Sequence, residues 1–131
     1  MPRLIATRRA YNAATGTAHD ISGATPAALA EMISRLRAGT TLTLWHDTVS
    51  DPGHLARVTR VRTGEQIVEV LDGDALRTVI PADACPTVAL IPTPAGSRIK
   101  PLASIMDAAT AARVASEWMR SGELTREWIA T

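Results

Sequence analysis

The chain is poor in aromatic residues and in cysteine. Its 131 residues include three Trp and one Tyr, no Phe, and a single cysteine, Cys85, which lies in a proline-rich turn. One cysteine cannot form an intramolecular disulfide, so a secreted, disulfide-stapled fold is excluded and a reducing compartment is expected. The small number of aromatic side chains also argues against nucleic-acid recognition by base stacking.

Net charge and long apolar runs are lacking as well. Fourteen basic and 13 acidic side chains leave a formal charge of +1, which is too small to drive binding to nucleic acid or to a membrane. No stretch reaches the roughly 18 apolar residues of a membrane-spanning helix, and the N-terminal segment lacks the apolar core of a signal peptide. The sequence therefore predicts a cytoplasmic protein without membrane or nucleic-acid partners.

The overall composition is that of an ordinary globular chain. Apolar residues make up 46% and charged residues 21%, and 131 residues are enough for a domain with its own core. Lys100 is the only lysine among 14 basic residues, a bias typical of a GC-rich genome such as that of an actinobacterium. We expect a single domain over residues 1–131.

The first predicted helix covers residues 26–38. Thr25 can cap it, Pro26 suits the first turn, where no backbone N–H is needed, and Gly39 is expected as a left-handed stop. Its apolar residues recur at i, i+3, i+4 and i+7, which predicts one buried stripe. The stripe consists of Leu29, Met32, Ile33 and Leu36.

The second predicted helix covers residues 105–121 near the C-terminus. Ser104 or Asp107 can cap its start, and Gly122 is expected to end it. Its small alanine side chains allow close packing on a sheet, while Trp118 fills the space at one end. The alanines on this face are Ala108, Ala111, Ala112 and Ala115.

Short alternating runs separated by turn residues are typical of strands and lie between the helices. The predicted strands are 41–45, 56–62, 67–71, 75–80, 87–91 and 99–102, and a first strand over 4–11 precedes a loop over 12–23. A type I′ turn with two positive φ values is expected at Asp72-Gly73, and the run 87–91 is expected to be mostly buried. The predicted fold class is α+β, with a mainly antiparallel sheet of four to six strands packed by two helices.

The richest cluster of possible metal ligands lies within residues 46–54. Its four side chains suit zinc; they are His46, Asp47, Asp51 and His54. We favour a polar hairpin loop, because no further ligand pair occurs at a recognised spacing, and keep a metal site as the alternative. No metal and no cofactor is expected.

Motifs for catalysis are also missing from the sequence. His19-Asp20 could orient an imidazole, but no nucleophile motif accompanies it. Cys85 has no histidine at a recognised spacing, and the glycines are scattered rather than arranged as a phosphate-binding loop. The sequence therefore predicts a protein that is not an enzyme.

Arginines on neighbouring predicted strands are the main candidates for partner binding. If they share a face, they form a guanidinium patch able to bind carboxylates or phosphates; they are Arg57, Arg60, Arg62 and Arg77. The alternative is an ordinary solvated sheet face, neutralised by nearby acidic residues such as Glu69. Trp45 is a further candidate contact residue.

The tail over residues 123–131 has two interpretations. Leu124 and Trp128 can fold back and cover the core, which we favour because large aromatic side chains bury area where they can. Alternatively Trp128 is exposed beside Arg126 and anchors a partner, since Trp and Arg dominate binding hot spots.

The C-terminal residues carry a resemblance to a known family. Glu117-Trp118-Met119-Arg120-Ser121-Gly122-Glu123, followed by Trp128, resembles the ending of the first-numbered immunity-protein family of bacterial polymorphic toxin systems. The resemblance covers about a fifth of the chain, which departs from it at Leu124-Thr125, where the family more often has Arg-Pro. It implies a small α+β protein that binds a cognate toxin in the cytosol and occludes its active site without catalysis.

Two other classes of function stay open at the level of sequence. A mainly antiparallel sheet with two packing helices also suits a small structural subunit of a phage virion or a secretion machine, acting through protein–protein contacts and forming homo-oligomers. A small enzyme or ligand-binding domain that uses the 46–54 segment is the third class. The expected partner is a protein, either a cognate toxin or an assembly neighbour.

Overall fold

The fold is seen in a computed structural model that describes residues 3–47 and 54–131. Its elements in chain order are β1 Leu4–Ala10, β2 Thr17–Asp20, α1 Pro26–Ser34, β3 Thr40–His46, β4 Leu55–Arg62, β5 Glu65–Asp72, β6 Ala75–Pro81, β7 Val88–Ile91, β8 Arg98–Pro101, a 3-10 helix Leu102–Ser104, α2 Ala108–Ser121 and β9 Trp128–Ala130. The α+β fold class is confirmed. Neither α-helix in these ranges is long and apolar enough to cross a membrane.

The main sheet has seven antiparallel strands in the order β2-β1-β3-β4-β5-β6-β9, and β7 and β8 form a separate hairpin. The two extra strands at its edges come from segments predicted as loop and tail. All four residues of β2 are exposed, and β9 has only three residues, so neither has an apolar alternation to detect. Backbone pairing with β1 and β6 makes them strands.

Helix α1 begins where the sequence predicts but ends earlier than residue 38. The hydroxyl of Thr25 caps it, whereas the helical geometry stops at Arg35. The guanidinium of Arg60, from β4, donates to the carbonyl oxygen of Ile33 at 2.6 Å and so satisfies the last turn. Gly39 is left-handed, with φ of +81°, but lies in the turn before β3.

Helix α2 begins at Ala108 rather than at residue 105. Met106 is held in an extended conformation by an isolated bridge to Gln66 of β5, with N···O distances of 2.8 and 3.1 Å. Because of this pairing, the helix begins only after Asp107, which caps it. Gly122 ends the helix with φ of +72°, as predicted.

The turn between β5 and β6 differs from the prediction. Asp72 pairs with Ala75, so the two loop residues are Gly73 and Asp74. Gly73 has φ of +70°, and all positive φ values among residues 3–47 and 54–131 belong to glycines. The prediction of a type I′ turn, which needs two positive φ values, was therefore wrong.

The main core lies between one face of the sheet and the two helices. Its fully buried side chains from the sheet include Leu42, Leu44, Val58, Val68 and Val70. Trp118 of α2 closes one end, and its indole N–H donates to the carbonyl of Leu55 at 3.1 Å. Leu124 and Trp128 pack against this core, which confirms that the tail folds back.

The opposite face of the sheet, here called the open side, is covered only in part. Val61 and Ile67 project from the sheet and pack with Ile91 of the β7–β8 hairpin in a second, smaller cluster. The hairpin therefore covers the open side locally, while the helices cover the other face broadly.

Candidate functional site

The four candidate arginines do not form one patch. Arg57 lies on the open side, whereas Arg60 is 4% exposed and points to the helices, because side chains three positions apart in a strand face opposite ways. Arg62 and Arg77 are exposed near hairpin turns, where each pairs with an acidic side chain. Of the four arginines, only Arg57 lies on the open side and pairs there with a side chain of the neighbouring strand.

Arg57 belongs to a charged cluster centred on Glu69. The carboxylate is 4% exposed and accepts two hydrogen bonds from Arg57, at 2.8 and 3.2 Å. Lys100 of β8 lies 3.6 Å from the same carboxylate and donates to the hydroxyl of Thr78 at 2.8 Å. Two cations around one carboxylate leave one excess positive charge and tie the hairpin to the sheet.

Trp45 extends the open side toward β1. It is half-buried, and its indole N–H donates to the hydroxyl of Thr7 at 2.9 Å. At the other end of β1, Tyr11 donates its hydroxyl to the carbonyl of Arg60 at 3.2 Å, and burial raises the pKa of Tyr11. The open side thus combines fixed polar groups with one partly accessible indole.

An aliphatic ridge on the outer face of the β7–β8 hairpin is the feature that sequence reasoning missed. Leu90 and Ile99 lie directly opposite each other and are 67% and 73% exposed. Val88, which faces Pro101, is 57% exposed, and Leu102 follows the hairpin at 47%. We call Val88, Leu90, Ile99 and Leu102 the aliphatic ridge.

The prediction that the strand over 87–91 is mostly buried was therefore wrong. A hairpin has two faces, and only the face that carries Ile91 packs on the sheet. The uniformly apolar run could not show this. The partner strand would have misled as well, since Arg98 and Lys100 alternate with Ile99 and the usual pattern would bury Ile99, whereas Ile99 is exposed and Lys100 faces the sheet.

The histidines of the candidate metal cluster form a stack instead of a ligand set. The ring of His54 lies between those of His46 and Trp118, with centroid distances of 5.9 and 5.4 Å. Asp47 points to Arg3, at 2.7 Å, and Asp51 lies outside the described residues. Over residues 3–47 and 54–131, no group of three or more potential ligands is placed to hold a metal ion.

The remaining candidate residues are Asp20, His19 and Cys85. Asp20 accepts from the amide of Ser22 at 2.9 Å, and this hydrogen bond lowers the pKa of Asp20. His19 is exposed in β2. Cys85 is exposed too, and the hydroxyl of Thr87, 3.3 Å from its sulfur, lowers the pKa of the thiol.

In the tail, Trp128 packs against the core, whereas Arg126 takes no part in that packing. The indole of Trp128 is half-buried on the core, with the guanidinium carbon of Arg113 at 6.0 Å from the ring centre. Arg126 is exposed, as is Ile129 at 45%. The favoured interpretation of the tail as a structural cover is consistent with this placement.

No family model, curated protein or solved structure matches the chain. The features that bear on its function are the open side, the aliphatic ridge and the C-terminal residues.

Proposed function

We propose that this protein is a non-enzymatic immunity protein, which binds a cognate bacterial toxin in the cytosol and occludes the toxin's active site. The observation that carries the proposal is the aliphatic ridge. Leu90 and Ile99, at its centre, leave about two-thirds or more of their surfaces in water although the chain has a well-formed core elsewhere. Contiguous exposed apolar side chains of this kind mark interaction surfaces.

A partner that covers the aliphatic ridge removes apolar surface from water. Removing apolar surface from water contributes about 25 cal/mol for each Å². Three aliphatic side chains on one hydrogen-bonded hairpin, with Leu102 directly after it, offer that area at little cost in backbone entropy. A protein surface with a complementary apolar patch is the partner that gains most from this contact.

The charged cluster beside the hairpin adds specificity to the apolar contact. Arg57 and Lys100 are fixed around Glu69 with one positive charge in excess. Because their positions are set before binding, they favour a partner that presents carboxylate groups next to its apolar patch. Trp45, on the same side of the sheet, is available at the edge of this surface.

The C-terminal resemblance supports a toxin as the partner. In this chain Trp118 is buried and Trp128 packs on the core, so both act as structural residues. They therefore support the proposal through family resemblance, while the contact surface is the aliphatic ridge.

The test is co-expression and co-purification with the toxin encoded by the neighbouring gene. We expect the wild-type chain to restore growth and to form a stable complex. Leu90→Asp and Ile99→Asp should each weaken the complex at least about tenfold, because central apolar residues contribute more than about 1.4 kcal/mol each to such interfaces. The matched control is Ile129→Asp, which changes an exposed aliphatic residue outside the ridge.

Two outcomes would refute different parts of the proposal. If the wild-type chain neither rescues growth nor forms a complex, the immunity function is wrong. If it does both but the two ridge variants bind as tightly as Ile129→Asp, the immunity function stands and the ridge is not the contact surface.

The alternative function is a structural assembly subunit, which the same ridge favours if two copies bury it against each other. Light scattering coupled to size-exclusion chromatography separates the two functions. A monomer that becomes a defined heteromeric complex with the toxin supports the immunity protein. A ring or filament formed by the chain alone, and dissolved by Leu90→Asp, supports the assembly subunit.

A further inference from the structure

The β7–β8 hairpin has two outer edges, and within residues 3–47 and 54–131 neither of them pairs with a further strand. Along an antiparallel pair, residues that bond across the hairpin alternate with residues that direct their N–H and C=O groups outward. The amide of Leu102 donates to the carbonyl of Thr87 at 2.9 Å, which makes these two a pair that bonds across the hairpin. By alternation, Val88 and Leu90 of β7 direct their backbone groups outward.

The outer edge of β7 is a row of free backbone groups. In the part of the chain that the structure describes, no other residue forms a backbone hydrogen bond with the outward groups of Val88 or Leu90. Both residues are more than half exposed, so a partner can reach this edge. Unpaired N–H and C=O groups along a strand are a template for pairing with another strand.

The outer edge of β8 is protected against such pairing, whereas that of β7 is not. Native proteins protect edge strands with charged side chains and with proline, which has no N–H to donate. In β8, Pro101 occupies an outward position, and Arg98 and Lys100 supply charge. The residues of β7, Val88–Ile91, include neither a proline nor a charged side chain. The edge that can accept another strand is therefore that of β7.

The position of the hairpin over the sheet determines what lies next to this edge. Lys100 of β8 donates to Thr78 of β6 at 2.8 Å, whereas Ile91 of β7 packs in one cluster with Val61 of β4. Within the hairpin, β8 is therefore the strand nearer β6, and the outer edge of β7 is on the side of β4. A strand added to β7 would lie beside Arg57 of β4, which belongs to the cluster with one positive charge in excess.

We propose that the outer edge of β7 binds an extended segment of the toxin by β-strand addition. The proposal rests on the immunity function and specifies how the toxin reaches the aliphatic ridge. The backbone groups of Val88 and Leu90 bond to the added strand. Alternate residues of that strand lie beside the side chains of Val88 and Leu90 and are apolar, while the residues between them face Arg57 and are acidic.

Paired substitutions at Leu90 and Ile99 separate backbone contacts from side-chain contacts. The two residues lie directly opposite each other, and each directs its N–H to the outer edge of its own strand. Alanine removes the side chain and keeps the N–H, whereas proline removes both and leaves the bonds between β7 and β8 in place. Affinity of the full chain for the toxin encoded by the neighbouring gene is measured by isothermal titration calorimetry, and thermal melting verifies that the variants fold.

We expect Leu90→Pro to bind the toxin at least about fivefold more weakly than Leu90→Ala, because a backbone hydrogen bond is lost in addition to the side chain. Ile99→Pro and Ile99→Ala are the matched control. Their affinities should agree within about twofold, since the outward N–H of Ile99 lies on the edge that the toxin does not use.

Amide hydrogen exchange tests the same contact in the unaltered chain, and it decides the question if Leu90→Pro does not fold. When the complex forms, exchange of the Val88 and Leu90 amides should slow at least about tenfold, whereas that of Ile99 should not. The toxin should show one newly protected stretch, whose sequence alternates apolar with acidic residues.

Different results would overturn different parts of the proposal. If the complex forms but Leu90→Pro binds as tightly as Leu90→Ala, or the Leu90 amide stays unprotected, strand addition is wrong and the immunity function stands. A protected toxin stretch without that alternation would overturn the chemistry of the segment. The absence of any complex overturns the immunity function and this contact together. A dimer of the chain alone that Leu90→Pro dissolves and Ile99→Pro does not would show that a second copy, and not the toxin, occupies the edge.

Discussion

The two faces of the seven-stranded sheet carry different kinds of residue and different kinds of cover. On the helix side, Leu44, Val58 and Val70 are fully buried by α1 and α2. On the open side, the hairpin covers Val61 and Ile67, and the charged cluster that joins the hairpin to the sheet is mostly buried. The difference indicates that the helix side holds most of the core, and under the function proposed above the open side is the face that meets a partner.

Substitutions on the helix side should have the largest effect on stability. Trp118→Ala removes a side chain that is 7% exposed and a hydrogen bond to Leu55, so we expect a loss of about 3–5 kcal/mol in the free energy of unfolding. Urea denaturation measures it. Trp45→Ala on the open side is the matched control and should lose clearly less, and an equal loss would contradict the division between the faces.

Substitution in the charged cluster around Glu69 should have the second-largest effect on stability. Glu69→Ala leaves Arg57 and Lys100 without their shared carboxylate, and we expect a loss of about 2–3 kcal/mol, because charge-assisted hydrogen bonds to a buried group are removed. Glu31→Ala is the control. Its ion pair with Arg35 is exposed and should contribute only about 0.3–0.5 kcal/mol. Similar losses in the two variants would show that the cluster contributes no more than a surface pair.

The cap of α2 gives a smaller effect that depends on pH. The hydrogen bond from the backbone amide of Thr110 lowers the pKa of Asp107 in the folded state. Its contribution is therefore complete above the unfolded pKa of about 3.9 and is lost as the pH falls through the lower folded pKa.

Asp107→Ala should accordingly lose about 1 kcal/mol near neutral pH, since this is the usual contribution of a helix cap. The difference from the wild type should shrink in acid. Urea denaturation over a pH series measures both values. Asp107→Asn keeps a capping side chain that does not titrate, so its stability relative to the wild type should rise in acid, and a constant difference would exclude the cap as the cause.

The ridge should have the smallest effect on stability. Leu90→Ala changes a residue that is 67% exposed, so its free energy of unfolding should stay within about 0.5 kcal/mol of the wild type. The same variant should weaken partner binding. Thermal melting and a binding titration on one preparation test both, and a large loss of stability would show that the ridge supports the fold instead.

Local signals in the sequence predicted the helix ends that depend on local contacts. Thr25 was expected as one cap, Ser104 or Asp107 as the other, and Gly122 as a stop; Thr25, Asp107 and Gly122 take these roles, because each acts on backbone groups within one helical turn. The early end of α1 could not be predicted in this way. At that end the carbonyl of Ile33 accepts from Arg60, which is 27 positions away in the sequence.

The candidate site was harder to predict than the fold. Alternation in β4 already places Arg57 and Arg60 on opposite faces, but it does not say which face the helices cover. The four residues Val88 to Ile91 are all apolar, so their pattern does not distinguish the buried Ile91 from the exposed Leu90. Burial of a hairpin on one face only is a tertiary property that a uniform run leaves undetermined.

The positions of the three tryptophans provide an optical readout of both faces. Trp118 lies in the core against His54 and Trp128 packs half-buried on the same core, whereas Trp45 is half-buried on the open side, and the chain has no Phe and a single Tyr to add to the ultraviolet signal. A partner that covers the open side should shift the emission of Trp45 to shorter wavelength without altering that of Trp118. The unlabelled protein can therefore report binding and unfolding separately through intrinsic fluorescence.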